Sequence, residues 1–308
     1  MSAQHLKLIA IGLAVLLLLW GGSALFSRGS DTVTGGLALP ALTVGETDTI
    51  AIATGADTLV LAKQSATAWL VNGHRAPLAG VTDVFQALQD STHPELVAQD
   101  VSSFGRLGVD SVTGRWLRIR GGGKALLQLI VGAPGAGFQS VYVRRPGDAH
   151  VYLWRGRLAA VMDRRSDDWR DKRIATLAPD SIGAVAVERG KDRYTLLRRG
   201  ARWAVNGGAA DSAAVVRYLD RLRTVMASGF ATPQAVDSTK GRRATRQLTV
   251  RGGGGSVLLT LAFDSTAGSF LVRHLAGVGG EGSTVYRMNI WDVDGLTPAS
   301  RSFAHAKS

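Results

Sequence analysis

Trp203-Ala204-Val205-Asn206-Gly207 decides how this chain is read, because Trp69-Leu70-Val71-Asn72-Gly73 stands 134 residues before it. In both pentads an apolar run meets Asn-Gly, the pair that best tolerates the left-handed backbone of a tight hairpin turn. Alternating apolar stretches precede each one. They are Thr49-Ile50-Ala51-Ile52 and Asp57-Thr58-Leu59-Val60-Leu61 in the first case, and 181–187 and Arg193-Tyr194-Thr195-Leu196-Leu197 in the second. At the same offset Val81, Val84, Phe85 and Leu88 align with Val215, Tyr218, Leu219 and Leu222. Both sets follow i, i+3, i+4, i+7, which predicts one apolar face of a short helix. Asp211 and Ser212 stand where a cap belongs.

Downstream the correspondence continues. Leu117-Arg118-Ile119-Arg120-Gly121-Gly122-Gly123 aligns with Leu248-Thr249-Val250-Arg251-Gly252-Gly253-Gly254, and each glycine run separates two apolar stretches as a hairpin loop does. Tyr142-Val143-Arg144 matches Leu271-Val272-Arg273, and Val151-Tyr152 matches Val285-Tyr286. Each unit therefore reads as three strands, a helix and four further strands. A period near 130 residues is domain-sized duplication, far longer than a solenoid repeat. The expected fold class is α+β: an N-terminal transmembrane helix followed by two duplicated lobes, each a mainly antiparallel β-sheet with a packed helix. The expected organisation is an anchor over 1–26, a linker over 27–47, a first repeat with connector over 48–178 and a second repeat over 179–308.

Composition narrows the function classes. With 45% hydrophobic and 19% charged residues the chain is neither wholly disordered nor collagen-like. It has no cysteine, which excludes disulfides, thiolate zinc sites, iron–sulfur clusters and cysteine nucleophiles. The formal charge is +12, and the excess is concentrated in 179–308, which carries +8 against +3 for 46–178. A basic module suits nucleic acid, an anionic membrane surface or an acidic partner.

The leader chooses among these. The run from Leu8 to Phe26 holds nineteen uncharged residues, about 28 Å of helix against a hydrocarbon core of roughly 30 Å. Trp20 lies toward one end, as interfacial tryptophans do. Lys7 and the amino terminus precede the run, while Arg28 and Asp31 cancel after it. The positive-inside rule then places the N-terminus in the cytoplasm and the bulk outside, as a single-pass protein of the inner (cytoplasmic) membrane with a periplasmic body. The competing readings are a cleaved signal peptide, since Gly22-Ser23-Ala24 offers small residues at a suitable spacing, and a span of the opposite, N-out orientation. With the bulk outside, as an anchor or a cleaved signal both place it, DNA binding is not expected, and the basic surface fits solvation or anionic headgroups.

Chemistry-bearing motifs are scarce. His5, His74, His93, His150, His274 and His305 never pair at i, i+3 or i+4, and neither His-Glu-x-x-His nor Gly-x-Ser-x-Gly occurs. Neither Gly121–Gly123 nor Gly252–Gly254 fits a P-loop, and Gly132-Ala133-Pro134-Gly135-Ala136-Gly137 lacks dinucleotide spacing. Trp69 and Trp203 read as core plugs in preference to a contact surface. Asp163, Asp167, Asp168 and Asp171 could attract a hard cation, but five bases are interleaved with them up to Arg173, so a self-neutralising connector is expected. Asp292-Val293-Asp294-Gly295 is too short for a calcium loop and is expected to turn the chain before Pro298. No catalytic, cofactor-binding or metal residue is singled out, and no cofactor is expected.

The order of blocks carries a resemblance. The N-terminal anchor, the Trp strand with its turn, and helix Val81 to Leu88 are followed by Phe104-Gly105-Arg106-Leu107-Gly108-Val109-Asp110, then Val141-Tyr142-Val143-Arg144 and Val151-Tyr152-Leu153. The last block is Trp169-Arg170-Asp171-Lys172-Arg173-Ile174. Together they resemble the domain-of-unknown-function 4340 family, with the second lobe as a diverged copy in which the Trp-Arg-Asp-Lys block has no counterpart. The resemblance implies a membrane-anchored protein encoded beside ABC-type exporters and an auxiliary protein of the gliding-motility kind. It assigns no catalytic residues; Gly108 and Asp110 carry over as a turn and Trp169 to Lys172 as a connector. The function expected is a non-catalytic, membrane-anchored extracytoplasmic accessory or scaffold of an ABC-type transport or cell-envelope system. Its expected partners are transporter subunits or an auxiliary envelope protein, not nucleic acid. The alternative is an envelope ligand-binding protein or hydrolase with a site between the lobes.

Overall fold

A computed structural model describes residues 36–304, Ala56 and Thr92 excepted. The expected anchor, Leu8 to Phe26, lies outside the described residues, as does the start of the linker. Among the described residues no helix is long and apolar enough to cross a membrane.

Nine strands form the first sheet: β1 (Thr49–Thr54), β2 (Asp57–Lys63), β3 (Trp69–Val71), β4 (His74–Ala76), β5 (Glu95–Ala98), β6 (Arg115–Gly121), β7 (Lys124–Pro134), β8 (Ser140–Arg144) and β9 (Val151–Arg155). Their order is β4-β3-β2-β1-β6-β7-β8-β9-β5. After β10 (Arg173–Thr176) come β11 (Ile182–Arg189), β12 (Asp192–Arg199), β13 (Arg202–Val205), β14 (Gly208–Ala209), β15 (Thr224–Met226), β16 (Gly229–Phe230), β17 (Arg246–Gly252), β18 (Val257–Thr266), β19 (Ser269–Gly277) and β20 (Val285–Asn289). Strands β10 and β15 pair as a separate ribbon. The others form a second sheet, β14-β13-β12-β11-β17-β18-β19-β20-β16. The second order is the first with each strand replaced by its repeat partner, so the duplication read from the pentads extends to the topology.

The chain divides into two compact units, one of residues up to 67 together with 78–164, the other of 68–77 together with everything from 165 onward. The β3–β4 hairpin extends the first sheet in strand order, yet it is counted with the second unit.

In the first unit the strand period sorts side chains by face. Leu117 and Ile119 on β6 are buried, and they stand opposite Ile52 and Ile50 on β1 and opposite Leu129 and Leu127 on β7. Helix α1 (Leu78–Ala87) lays Val81, Val84 and Phe85 into the core, as their spacing predicts, together with Ala87, and Leu88 is buried just past its end. A short helix α2 (Phe104–Leu107) contributes Leu107 to a smaller cluster with Val109, Ile130 and Val151. Helix α3 (Leu158–Met162) follows β9 and touches α1, and the Trp154 indole donates to the Ala87 carbonyl at 3.2 Å.

The second unit repeats this pattern. Asp211 caps helix α4 (Ser212–Leu222) by accepting from the Ala214 amide, which places Val215, Tyr218, Leu219 and Leu222 in the core. Thr232 caps α5 (Pro233–Thr239), which occupies the place of α2 before the long hairpin. Helix α6 (Ile290–Leu296) follows β20 and packs on α4 as α3 packs on α1. Trp69 and Trp203 are both buried, and the turns after them use Asn72 and Asn206 at φ 47° and 48°.

Three expectations are corrected. Each sheet has nine strands in place of three plus four, because β4, β5, β14 and β16 are too short to leave a periodic signal. The Asp292–Gly295 stretch is helical and forms most of α6; its glycine leaves room for Arg221 on α4, whose guanidinium would stand 2.6 Å from a Cβ at Gly295. The turn into Trp169 has a structural counterpart, although the Arg170-Asp171-Lys172 part of that block has none in the sequence. Ser166–Trp169 and Ser300–Phe303 are both single 3₁₀ turns ending in a buried aromatic, again 134 residues apart.

Candidate functional site

Two polar clusters stand out, one in each unit. The first is assembled from the blocks that carried the family resemblance. Gly108 ends α2 in the left-handed conformation, φ 65°, and a side chain there would bring its Cβ to 3.0 Å from the Ala133 backbone nitrogen. Asp110 then closes a turn: its carboxylate accepts from the amides of Val112 and Thr113, both at 2.8 Å, and from the Thr113 hydroxyl. The Thr113 hydroxyl and these amides hold the Asp110 carboxyl at about 2. Because that value is depressed, the stabilisation it brings is complete above the ordinary carboxylate range and is lost as pH falls through about 2. A carbon-detected NMR titration should find the Asp110 midpoint near 2, and Thr113→Val should move it toward an ordinary value of about 4. A wild-type midpoint near 4 would show that the turn does not form in solution.

Arg144, at the end of β8, is buried beside this turn. Its Nε donates to the Val109 carbonyl at 2.6 Å, Nη1 donates to the Arg145 carbonyl at 3.1 Å, and the guanidinium lies 4.1 Å over the Phe104 ring. Its repeat partner Arg273 is bound differently, donating through Nε to the buried Asp264 carboxylate at 3.0 Å. Nearby, the Asp148 carboxylate sits 2.7 Å from His150 Nδ1 and accepts the His150 amide at 3.0 Å. Burial pushes Asp148 up, but the His150 amide and ring outweigh it and leave the carboxyl below its usual range. Tyr152, whose ring lies 6.5 Å from that of His150, is pushed up by burial. Such a carboxylate–imidazole pair can orient a ring and shuttle a proton. Asp148-Ala149-His150 has no signature in the sequence that helical spacing would pick out, because the pair lies at i, i+2 on a loop.

The second cluster centres on Glu281, whose side chain is only 17% exposed. It accepts the Arg75 amide, stands 3.3 Å from His74 Nδ1 and 3.4 Å from Arg170 Nη2, and accepts from the Thr284 hydroxyl at 3.4 Å. Arg170, 12% exposed, stacks 3.5 Å from the centre of the Phe230 ring and also approaches His74 Nδ1 at 3.1 Å. Within the charged connector Asp168 pairs with Lys172 and Arg165, Asp167 with Arg170 and Asp171 with Arg173, whereas Asp163 and Arg164 pair with Arg115 and Asp83 elsewhere in the chain. The connector is therefore neutralised partly from within and partly by Arg115 and Asp83 outside it, while Arg170 also reaches Glu281.

Of the remaining histidines, His274 Nε2 lies 3.1 Å from the Val278 carbonyl and His93 is exposed; His5 and His305 lie outside the described residues. Among the described residues no three of His, Asp and Glu converge as a metal site would require. The glycine runs turn the β6–β7 and β17–β18 hairpins, and the Gly122 amide donates to Asp48 at 2.6 Å.

A nine-stranded antiparallel sheet used twice, each copy with helices after its fourth and its last long strand, defines a duplicated α+β protein. The chain belongs to the family described as Domain of unknown function (DUF4340), whose model matches residues 72–244, more than half of its length. No curated protein and no solved structure matches it.

Proposed function

We propose that this protein is a non-catalytic, membrane-anchored extracytoplasmic accessory of an ABC-type transport or cell-envelope system, working by holding partners. The observation that carries the reading is the uncharged run from Leu8 to Phe26 placed one short linker ahead of a duplicated sheet. A tether of that kind confines the body near the membrane and raises its effective concentration for a membrane partner, to about the millimolar range for a short link. Two aromatic side chains support a contact role: Phe138 is 91% exposed on the β7–β8 loop, and Trp291 is 84% exposed at the start of α6. The Glu281 cluster supports it as well, since its groups are engaged with one another and leave the fold, not a substrate, as their evident beneficiary. A second reading, an envelope hydrolase or ligand-binding protein, draws on the Asp148–His150 pair.

The test is a detergent-extracted pull-down with the full chain and with a form lacking residues 1–26, alongside a periplasm-dependent reporter fused after Ser308. An active reporter and recovery of an ABC-type transporter subunit by the full chain are expected. An inactive but expressed reporter would overturn the topology. Failure to recover any transporter subunit, with turnover of an envelope substrate that His150→Gln abolishes, would replace the scaffold by the enzyme.

A further inference from the structure

The second unit carries a cavity of about 320 Å³ at one end of the adjacent strands β12, β11 and β17. Register assembles its walls. Glu188 on β11 stands opposite Arg193 on β12 and Gln247 on β17, Gly190 turns the chain between the first two, and Arg243 and Arg246 close the cavity where the chain enters β17.

The arginines differ in how firmly they are held. Arg246 is 15% exposed and fixed on three sides: Nη1 donates to Asp294 at 2.6 Å and to the Thr297 hydroxyl at 3.0 Å, and the guanidinium lies 4.8 Å from the Phe270 ring centre. Arg193 and Glu188 form only a loose exposed pair at 3.6 Å, a contact that is weak and easily exchanged. Arg243 is exposed at the rim. Asp294 is shared with Arg189 at 3.1 Å, so it offsets one of those two cations and not both. Arg189, Arg193, Arg243 and Arg246 against Glu188 and Asp294 leave a local charge of +2. Guanidinium forks match pairs of oxygens on a tetrahedral oxyanion, and a phosphate monoester carries about −1.5 to −2 at neutral pH.

We infer that the cavity bounded by Glu188, Arg193, Arg243 and Arg246 binds a phosphate dianion. The group is either free phosphate or the terminal phosphate of a lipid headgroup, and the inference does not depend on the accessory reading above. Arg246 supplies a rigid wall, while Arg193 leaves Glu188 to engage the ligand from the opposite side.

The test uses the full chain in detergent and calorimetric titration. One arm uses inorganic phosphate. The other uses soluble short-chain phosphatidic acid, a monoester, beside phosphatidylglycerol, a diester. The variants are Arg193→Gln/Arg243→Gln and, as a charge-matched control on β12 and β13, Arg199→Gln/Arg202→Gln. Saturable binding that weakens at least tenfold in the first double variant and holds in the control is the expected result. If it is seen with inorganic phosphate the source is the free ion, and if only with phosphatidic acid it is the headgroup. Absence of saturable binding in both arms, equal loss in both double variants, or equal affinity for phosphatidic acid and phosphatidylglycerol without phosphate binding would overturn the inference.

Discussion

Phe303→Ala is expected to lower the unfolding free energy of the second unit by about 3–5 kcal/mol. The ring is 1% exposed and closes an aromatic group, 5.8 Å from Tyr194 and 5.3 Å from Tyr218 between ring centroids. Both tyrosines are themselves tied down, donating at 2.8 Å to the carbonyls of Pro298 and Leu296. Burial drives both phenols well above their ordinary range, so they stay neutral donors. The Phe303 carbonyl also accepts the Asp211 amide at 2.9 Å, which links the last 3₁₀ turn to the cap of α4. Removing the ring therefore leaves a cavity under both β12 and α4, which cannot collapse without pulling on these hydrogen bonds. Urea denaturation followed by near-ultraviolet circular dichroism measures the loss. Phe303→Leu should cost less, because most of the volume is kept. A loss below about 1 kcal/mol for the alanine variant would show that the terminal turn is not part of the core.

Glu281→Ala is expected to cost about 3 kcal/mol, at the lower edge of what removing one member of a buried ion pair does, because the site keeps some solvent. The cost arises less from the lost attraction than from Arg170, which stays nearly buried against Phe230 with only the more exposed Asp167, 3.6 Å away, left as its carboxylate partner. Two further variants separate these causes. Glu281→Gln keeps an acceptor for the Arg75 amide and should recover part of the loss. Glu281→Ala/Arg170→Met removes both charges and should approach the parent stability, since an apolar replacement of a whole buried pair is often close to neutral. If the double variant loses the sum of the two single losses, the residues act independently and the pairing carries no stability.

Much of the architecture was legible in the sequence, for particular reasons. The Trp-x-Val-Asn-Gly pentads keep their residue types in both copies because their backbones need them, with Asn72, Gly73, Asn206 and Gly207 all at positive φ, and each glycine hairpin holds such a position at Gly122 and Gly123 or at Gly255. The helices over the sheets were legible from four apolar positions each. The second helices were not. Leu158–Met162 is too short to show a period, and α6 carries Asp292, Asp294 and Gly295, residues that favour turns in isolation. In α6 tertiary pairing overrides that preference, because Asp294 is taken up by Arg189 and Arg246. Trp169 and Phe303 share a position but not a residue type, so the repeat of this turn was hidden by a change of aromatic. The polar clusters were least legible. Glu281 meets Arg75 across 206 residues of chain, and no local spacing can announce such a contact.

The strands that end each sheet have a consequence for how the protein behaves when concentrated. Terminal strands β4, β5, β14 and β16 are two to four residues long, whereas β7 and β18 in the interior run to eleven and ten. A long bare edge is a template on which a second chain can add and polymerise into cross-β fibrils. Here each edge offers a ladder too short to nucleate that growth, and the long apolar strands that would be hazardous are enclosed between neighbours. The same brevity that erased these strands from the sequence pattern keeps two large sheets in one polypeptide from becoming a seed for aggregation.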